Sequence, residues 1–222
     1  MACLPLPAFS SPQSDILFTQ AISDARAARH DQALQQLMAL ISDYPDNKQY
    51  RYDYITVLGW ARQDALALAQ IPFITIDQAP AYVLESLGQT ALRQKKFHTA
   101  TMVYTQLNHD SPRNRQYQLL CAWALIEEGR DKEAFRLLKK SALGPDDYIS
   151  RLTQLAQQAN DEGATFTALS VYNKLITLTP EPAAGRNRRF IIPRLGAITR
   201  AHELAKQNPS CHNASYKALK EG

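Results

Sequence analysis

The sequence predicts an all-α fold, because small side chains recur at a spacing of 34 residues. Each repeat has a small residue at two fixed positions and a large apolar residue four places after the second. The members are Gly88, Ala122 and Ala156; Ala100, Ala134 and Ala168; and Tyr104, Leu138 and Tyr172. Small residues at these positions let two antiparallel helices pack closely, and the period is typical of tetratricopeptide (TPR) repeats. We therefore predict a TPR superhelix, an α-solenoid of about five to six helical hairpins.

The phase of the repeat gives the expected domain organisation. The hairpins are expected near 14–47, 48–80, 81–114, 115–148, 149–182 and 183–208, which together form a TPR array at 13–208. The phase slips within 62–80, where the apolar and partly β-branched run favours a shortened or distorted hairpin. Residues 209–222 are expected to form a C-terminal cap or tail, since terminal repeats cover exposed apolar faces.

Residues 1–12 are expected to be a leader or the remnant of a signal peptide. The first ten residues are apolar and uncharged, and Ala8 and Ser10 have the small-x-small arrangement that signal peptidase recognises. A basic n-region does not precede them, so an unstructured leader is the alternative.

Composition bounds the class of protein. The chain has 222 residues, of which 45% are hydrophobic and 21% charged, as in one globular unit or a short repeat array. No stretch approaches the roughly 18 apolar residues of a membrane span, so no transmembrane segment is expected. The net charge of +4 is uneven, because residues 183–222 hold eight basic and two acidic side chains. This basic end is either a solvated face or a surface for an acidic partner.

The sequence does not favour an enzyme. It has no Gly-rich phosphate loop, no HExxH and no GxSxG motif, and its five histidines are scattered over several repeats. We expect no catalytic residues, no cofactor and no metal. Three cysteines do not make a disulfide framework; Cys121 is expected to pack as a small hydrophobe, and the roles of Cys121 and Cys211 stay open. Nucleic acid is not an expected partner, since the arginines of 186–194 have no aromatic platforms among them.

Three runs resemble a known family. They are Tyr52-Asp53-Tyr54-Ile55-Thr56-Val57-Leu58-Gly59-Trp60-Ala61 with the following residues to Leu66, Gly129-Arg130-Asp131-Lys132-Glu133-Ala134, and Leu195-Gly196-Ala197 with Ala201–Ala205 and Asn208-Pro209. These runs are similar to the N-terminal TPR region of PgaA-type proteins, the outer-membrane exporters of poly-β-1,6-N-acetylglucosamine in Gram-negative bacteria. The resemblance implies a non-catalytic periplasmic scaffold, associated with the outer membrane where a pore follows it. Such a scaffold binds partly deacetylated polymer, an export or deacetylase partner, or both.

The resemblance also supplies a rule for the binding surface. In a TPR superhelix, positions 2, 5, 9, 12 and 13 of each repeat point into the concave groove. Applied to the third to fifth repeats, the rule gives a set of polar and aromatic candidates. They are Tyr82, Glu85, Gln89 and Arg93; Gln116, Trp123 and Glu127; and Thr153, Gln157, Asn160 and Asp161. Rings, amides and carboxylates in one groove suit a sugar polymer. The alternative is a generic TPR adaptor, cytoplasmic, that binds a protein or peptide in the same groove.

Overall fold

A computed structural model describes residues 12–178. Within this range all regular structure is helical, with ten α-helices, two short 3-10 helices and no strand. The predicted all-α class with TPR-type helical hairpins is confirmed for these residues. The expected leader, the hairpin near 183–208 and the tail at 209–222 lie outside the described residues.

The helices follow one another in pairs separated by short turns. Their bounds are α1 Pro12–Arg26, α2 His30–Asp43, α3 Lys48–Trp60, α4 Asp64–Leu68, α5 Ala81–Arg93, α6 Phe97–Asp110, α7 Arg115–Glu127, α8 Asp131–Ser141, α9 Pro145–Asp161 and α10 Thr165–Leu178. The contacts divide the chain after Ser141, so that α1–α8 form a first unit and α9–α10 form a second.

In the first unit, the helices of each pair pack on each other, and consecutive pairs pack together as well. The contacts join α1 to α2, α5 to α6 and α7 to α8 within pairs, and α2 to α3 and α6 to α7 between pairs. The first helices of the second and third pairs, α3 and α5, also contact each other directly. In the second unit, α9 and α10 pack along each other.

The turn inside each of the five pairs has the same backbone conformation. One residue in every turn has a positive φ, and these are Ala28, Arg62, Lys95, Gly129 and Gly163. In the first turn the Ala28 N–H donates to the Ala25 carbonyl and the Arg29 N–H donates to the Asp24 carbonyl. The other four turns repeat this pair of bonds, which is the Schellman ending of a helix. The recurring turn reverses the chain after each first helix.

Close helix packing depends on Gly88 in α5. A β-carbon added there would lie 2.7 Å from Cζ of Tyr104, a fully buried residue of α6. A larger residue at this position would therefore push α5 away from α6. This is the contact that the spacing of small and large residues predicts.

The second pair is irregular, in the segment where the phase of the repeat slips. Its second helix, α4, has only five residues. Two 3-10 helices, Ile71–Phe73 and Ile76–Gln78, follow it before α5 begins. The guanidinium of Arg51 in α3 lies 4.9 Å from the centre of the Phe73 ring, and its Nη1 donates to the Gln70 side chain at 3.0 Å. These contacts attach the irregular segment to α3.

The second unit starts earlier than the repeat phase suggests. The hairpin expected at 149–182 has its first helix from Pro145, and Gly144 is the residue that precedes it. Proline is favoured in the first turn of a helix, where its missing N–H would have no intrahelical acceptor. The four extra residues make α9 a 17-residue helix.

Candidate functional site

A cavity of about 580 Å³ opens on the face of the first unit that the first helices share. Its lining comes from α1, α3 and α5, which are the first helices of three consecutive pairs. The lining residues are Phe18, Ile22, Ala25 and Arg26 from α1; Gln49, Asp53, Thr56, Val57, Gly59 and Trp60 from α3; and Tyr82, Glu85, Ser86, Gln89 and Arg93 from α5. The cavity thus combines aromatic and aliphatic surface with amides and charges.

Four of the residues proposed from the sequence meet in this cavity. They are Tyr82, Glu85, Gln89 and Arg93, all on α5. The spacing of these positions along one helix explains why their side chains share a face, since they lie three or four residues apart.

A hydrogen-bonded network joins α3 to α5 at the cavity. The Gln49 side-chain amide donates to Asp53 Oδ2 at 2.7 Å and to the Tyr82 hydroxyl oxygen at 2.9 Å, and the Tyr82 hydroxyl donates to Asp53 Oδ1 at 3.2 Å. Burial raises the pKa of the Asp53 carboxyl, although these bonds and the more distant Arg26 act against it. Burial and the nearby Asp53 raise the pKa of Tyr82 to about 12. The network holds both side chains in fixed positions.

Arg93 lies at the other end of the α5 side of the cavity and binds Asp64 of α4. Its Nε and Nη2 donate to the two carboxylate oxygens of Asp64 at 3.0 and 2.5 Å. The same Nη2 donates to Thr90 at 3.0 Å. Hydrogen bonding from Arg93 lowers the pKa of the Asp64 carboxyl, which is buried. The charge of Arg93 is therefore largely neutralised by its partner.

Glu85 is hydrogen-bonded to a residue of the next helix pair, α7–α8. It accepts a short hydrogen bond from the hydroxyl of Tyr117 in α7. That bond, together with burial, raises the pKa of Tyr117 to about 12. Tyr117 of α7 thus sets the orientation of the Glu85 carboxyl group.

The candidates on α7 do not line the cavity. Trp123 is buried, and its indole N–H is enclosed without a hydrogen-bond partner among the described residues. Glu127 is half-buried and Gln116 is exposed near the start of the helix. Trp123 has the environment of a packing residue rather than of a ring that offers its face to a ligand.

The candidates of the second unit lie together on one exposed face of α9. Gln157 and Asn160 both donate to Oδ1 of Asp161, at 2.7 and 3.5 Å. Thr153, Gln157 and Asp161 border a shallow depression on this helix. A depression on a single helix offers a ligand fewer walls than the cavity between α1, α3 and α5.

The cavity also contains residues that were not assigned from the sequence. Counted from 14 and 48, the groove positions of the first two repeats are occupied by Asp15, Phe18, Ile22, Ala25 and Arg26, and by Gln49, Tyr52, Thr56, Gly59 and Trp60. All of these except Asp15 and Tyr52 line the cavity. The rule used for the third to fifth repeats could therefore have found them. Asp53 is the sixth residue of its repeat, one place after groove position 5. The rule does not select it, and only the structure shows that it lines the cavity.

The described residues do not assemble a metal centre. Among residues 12–178 no group of three or more His, Cys, Asp or Glu side chains is placed to hold a metal ion. Cys121 is a buried free thiol whose pKa is raised by burial. A buried thiol of this kind is unreactive. In the same range, no helix is long and apolar enough to cross a bilayer.

The fold defines a class, a helical-repeat protein, and the first helices of three of its pairs line one cavity. No protein-family model matches the sequence, and no curated protein matches it significantly. Several solved structures are similar to it, among them two structures of MamA. A MamA mutant is 22% identical, over 75% of this chain and 97% of that one, with a TM-score of 0.42. MamA AMB-1 is 21% identical, over 79% of this chain and 95% of that one, with a TM-score of 0.44.

Proposed function

We propose that this chain is a non-catalytic scaffold that binds a segment of a partner protein across α1, α3 and α5. The observation that supports this most directly is the cavity of about 580 Å³ that these three helices line. Pockets of this size, with apolar walls and a few fixed polar groups, are typical of binding sites. Asp53, Tyr82, Glu85 and Arg93 of the cavity are engaged in hydrogen bonds or ion pairs and are not arranged around a nucleophile.

Site-specific crosslinking tests the scaffold. Gln49 and Gln89 are exposed residues of the cavity wall, so a photo-reactive benzoylphenylalanine at either position faces a bound partner. The matched control carries benzoylphenylalanine in place of Asp43, a residue that is exposed on α2 and does not line the cavity. We expect one partner segment to crosslink at both wall positions and not at the control. Equal labelling at all three positions contradicts the proposal.

Loss of binding then measures the contribution of the cavity. Trp60 is 50% exposed and lines the cavity, so Trp60→Ala removes contact area without emptying the core. We expect affinity for the crosslinked segment to fall roughly tenfold or more, as at an aromatic hot spot. Leu66 is 51% exposed outside the cavity, and Leu66→Ala is expected to leave the affinity unchanged.

The second candidate function is binding of poly-N-acetylglucosamine during export, in the periplasm. It is favoured by one observation, that the exposed edges of Trp60 and Tyr82 share the cavity with the amides of Gln49 and Gln89. Rings pack on pyranose faces and amides bond to hydroxyl and N-acetyl groups. Titration with N-acetylglucosamine and glucosamine oligomers tests it. Binding of the oligomers that Trp60→Ala abolishes, with no crosslinked protein, would favour this function over the adaptor.

A further inference from the structure

Resting on the proposed function, we infer that the cavity receives a basic side chain, a lysine or arginine of the partner segment. Its alkyl stem lies against Phe18 and Trp60, and its cationic head reaches Asp53 and Glu85. The cavity is thereby the specificity site of the scaffold, selecting partner segments by charge.

The two carboxylates have the position and the spare capacity for such a head. Asp53 accepts one hydrogen bond on each oxygen, and Glu85 accepts one from Tyr117. A carboxylate accepts about four hydrogen bonds, so both retain unused acceptor sites, and both residues line the cavity. Each is already oriented by a neighbouring helix, which lowers the entropy lost when a cation binds.

The cations of the cavity compensate this negative charge only in part. Four charged side chains line the cavity, and one of them, Arg93, is bound through two nitrogens to Asp64. Arg26 is exposed, and its attraction is the smallest of the effects acting on the Asp53 carboxyl. Burial raises the pKa of that carboxyl in spite of Arg26. A cation brought to Asp53 would offset the cost of burying it.

The aromatic walls suit the same ligand. Phe18, Trp60 and Tyr82 all line the cavity. A guanidinium or ammonium group is attracted to an aromatic face, and the attraction is stronger where water is excluded. The chain already makes one such contact elsewhere, between the Arg51 guanidinium and the Phe73 ring at 4.9 Å. A carboxylate beside aromatic rings favours a cation over a neutral or anionic side chain.

Small side-chain mimics test the inference on the full chain. Butylguanidinium and butylammonium stand for arginine and lysine, and butyrate and butanol are the anionic and neutral controls. Binding is followed by NMR through the indole N–H of Trp60, with the enclosed indole of Trp123 as an internal reference. We expect millimolar binding of both cations at Trp60, at least fivefold weaker binding of butanol, and none of butyrate.

Three variants separate charge from shape. Asp53→Asn should weaken butylguanidinium binding about tenfold, since charge-assisted bonds are about twice as strong as neutral ones. Arg26→Gln should strengthen it about twofold, because a competing cation is removed. Asp43→Asn, away from the cavity, should change nothing. The opposite signs at Asp53 and Arg26 keep the test decisive, because a general loss of folding weakens binding in both variants.

The possible outcomes distinguish failure of the basic-side-chain site from failure of the proposed partner-binding scaffold. Butyrate or butanol binding as tightly as the cations overturns the inference, as does unaltered cation binding in Asp53→Asn. A crosslinked partner segment without lysine or arginine overturns the inference and leaves the scaffold standing. Absence of crosslinking specific to the cavity overturns the scaffold even where small cations bind. Glucosamine oligomers that bind at Asp53 while lysine and arginine peptides do not would assign the cationic site to a sugar, against the inference.

Discussion

At the scale of single residues, Tyr104 shows how packing and polarity conflict in the core. Its ring fills the space opposite Gly88 and is fully buried. Its hydroxyl is enclosed without a hydrogen-bond partner among the described residues. Burial raises the pKa of this hydroxyl well above its usual value. The ring stabilises the fold, and the hydroxyl does not.

We expect Tyr104→Phe to leave the free energy of unfolding unchanged or to raise it by about 1 kcal/mol, because an unpaired buried polar group is removed. The matched variant is Tyr117→Phe, which removes the hydroxyl that donates to Glu85. We expect that variant to lose about 1–2 kcal/mol. Urea denaturation followed by circular dichroism measures both. A loss of more than 1 kcal/mol in Tyr104→Phe would show that the hydroxyl has a stabilising partner.

At the scale of elements, the five turns have one geometry but different sequences. Gly129 and Gly163 occupy the positive-φ position in the last two, while Ala28, Arg62 and Lys95 occupy it in the others. For an L-residue this conformation costs roughly 1–2 kcal/mol, and glycine adopts it without steric cost. The first three turns are therefore strained relative to the last two.

We expect Ala28→Gly and Lys95→Gly each to raise the free energy of unfolding by about 0.5–1 kcal/mol, the relief of strain less the entropy of glycine. Gly163→Ala should lower it by about 1 kcal/mol. The control is Ala27→Gly, one residue before the positive-φ position, which should be destabilising. Thermal and urea unfolding check the set, and a destabilised Ala28→Gly would refute the strain.

The pair between Asp64 and Arg93 should make stability depend on pH. The folded-state pKa of Asp64 is lowered, so its contribution is present above the unfolded pKa of about 3.9 and is lost as pH falls through the folded value. Arg93→Met should cost about 1–3 kcal/mol at pH 7, with the difference shrinking below about pH 4. The exposed Arg113→Met serves as the control. Urea denaturation from pH 3 to 7 tests this, and a deficit independent of pH would contradict it.

The elements and the site differ in how far sequence alone predicts them. Small residues fix where helices cross, so the pairs from α5 onward follow from the period. Gln49 and Trp60 were not predicted as site residues, because the second pair was expected to be irregular. The structure shows that α3 is a regular helix and that only the segment after it departs from the repeat. The strained turns could not be predicted, because alanine, arginine and lysine carry no preference for positive φ. Asp53 required the structure, since its position depends on Tyr82 of another helix.

At the scale of the whole molecule, the cavity belongs to the first unit alone. All of its lining lies between Phe18 and Arg93, and the division of the chain comes after Ser141. We expect a chain ending at Ser141 to fold cooperatively and to bind butylguanidinium as tightly as the full chain. Circular dichroism and the Trp60 titration check both. A fragment that is helical but fails to bind would show that residues beyond Ser141 shape the cavity.

The local packing of the helices also determines how the chain would respond to force. Each helix packs on helices close to it in sequence, so a pull on the two ends loads one hairpin after another rather than the whole core at once. We expect extension in steps of roughly 34 residues, about 110 Å of extended chain less the folded length of one hairpin. A protein built this way would yield gradually under tension and recover its length one hairpin at a time.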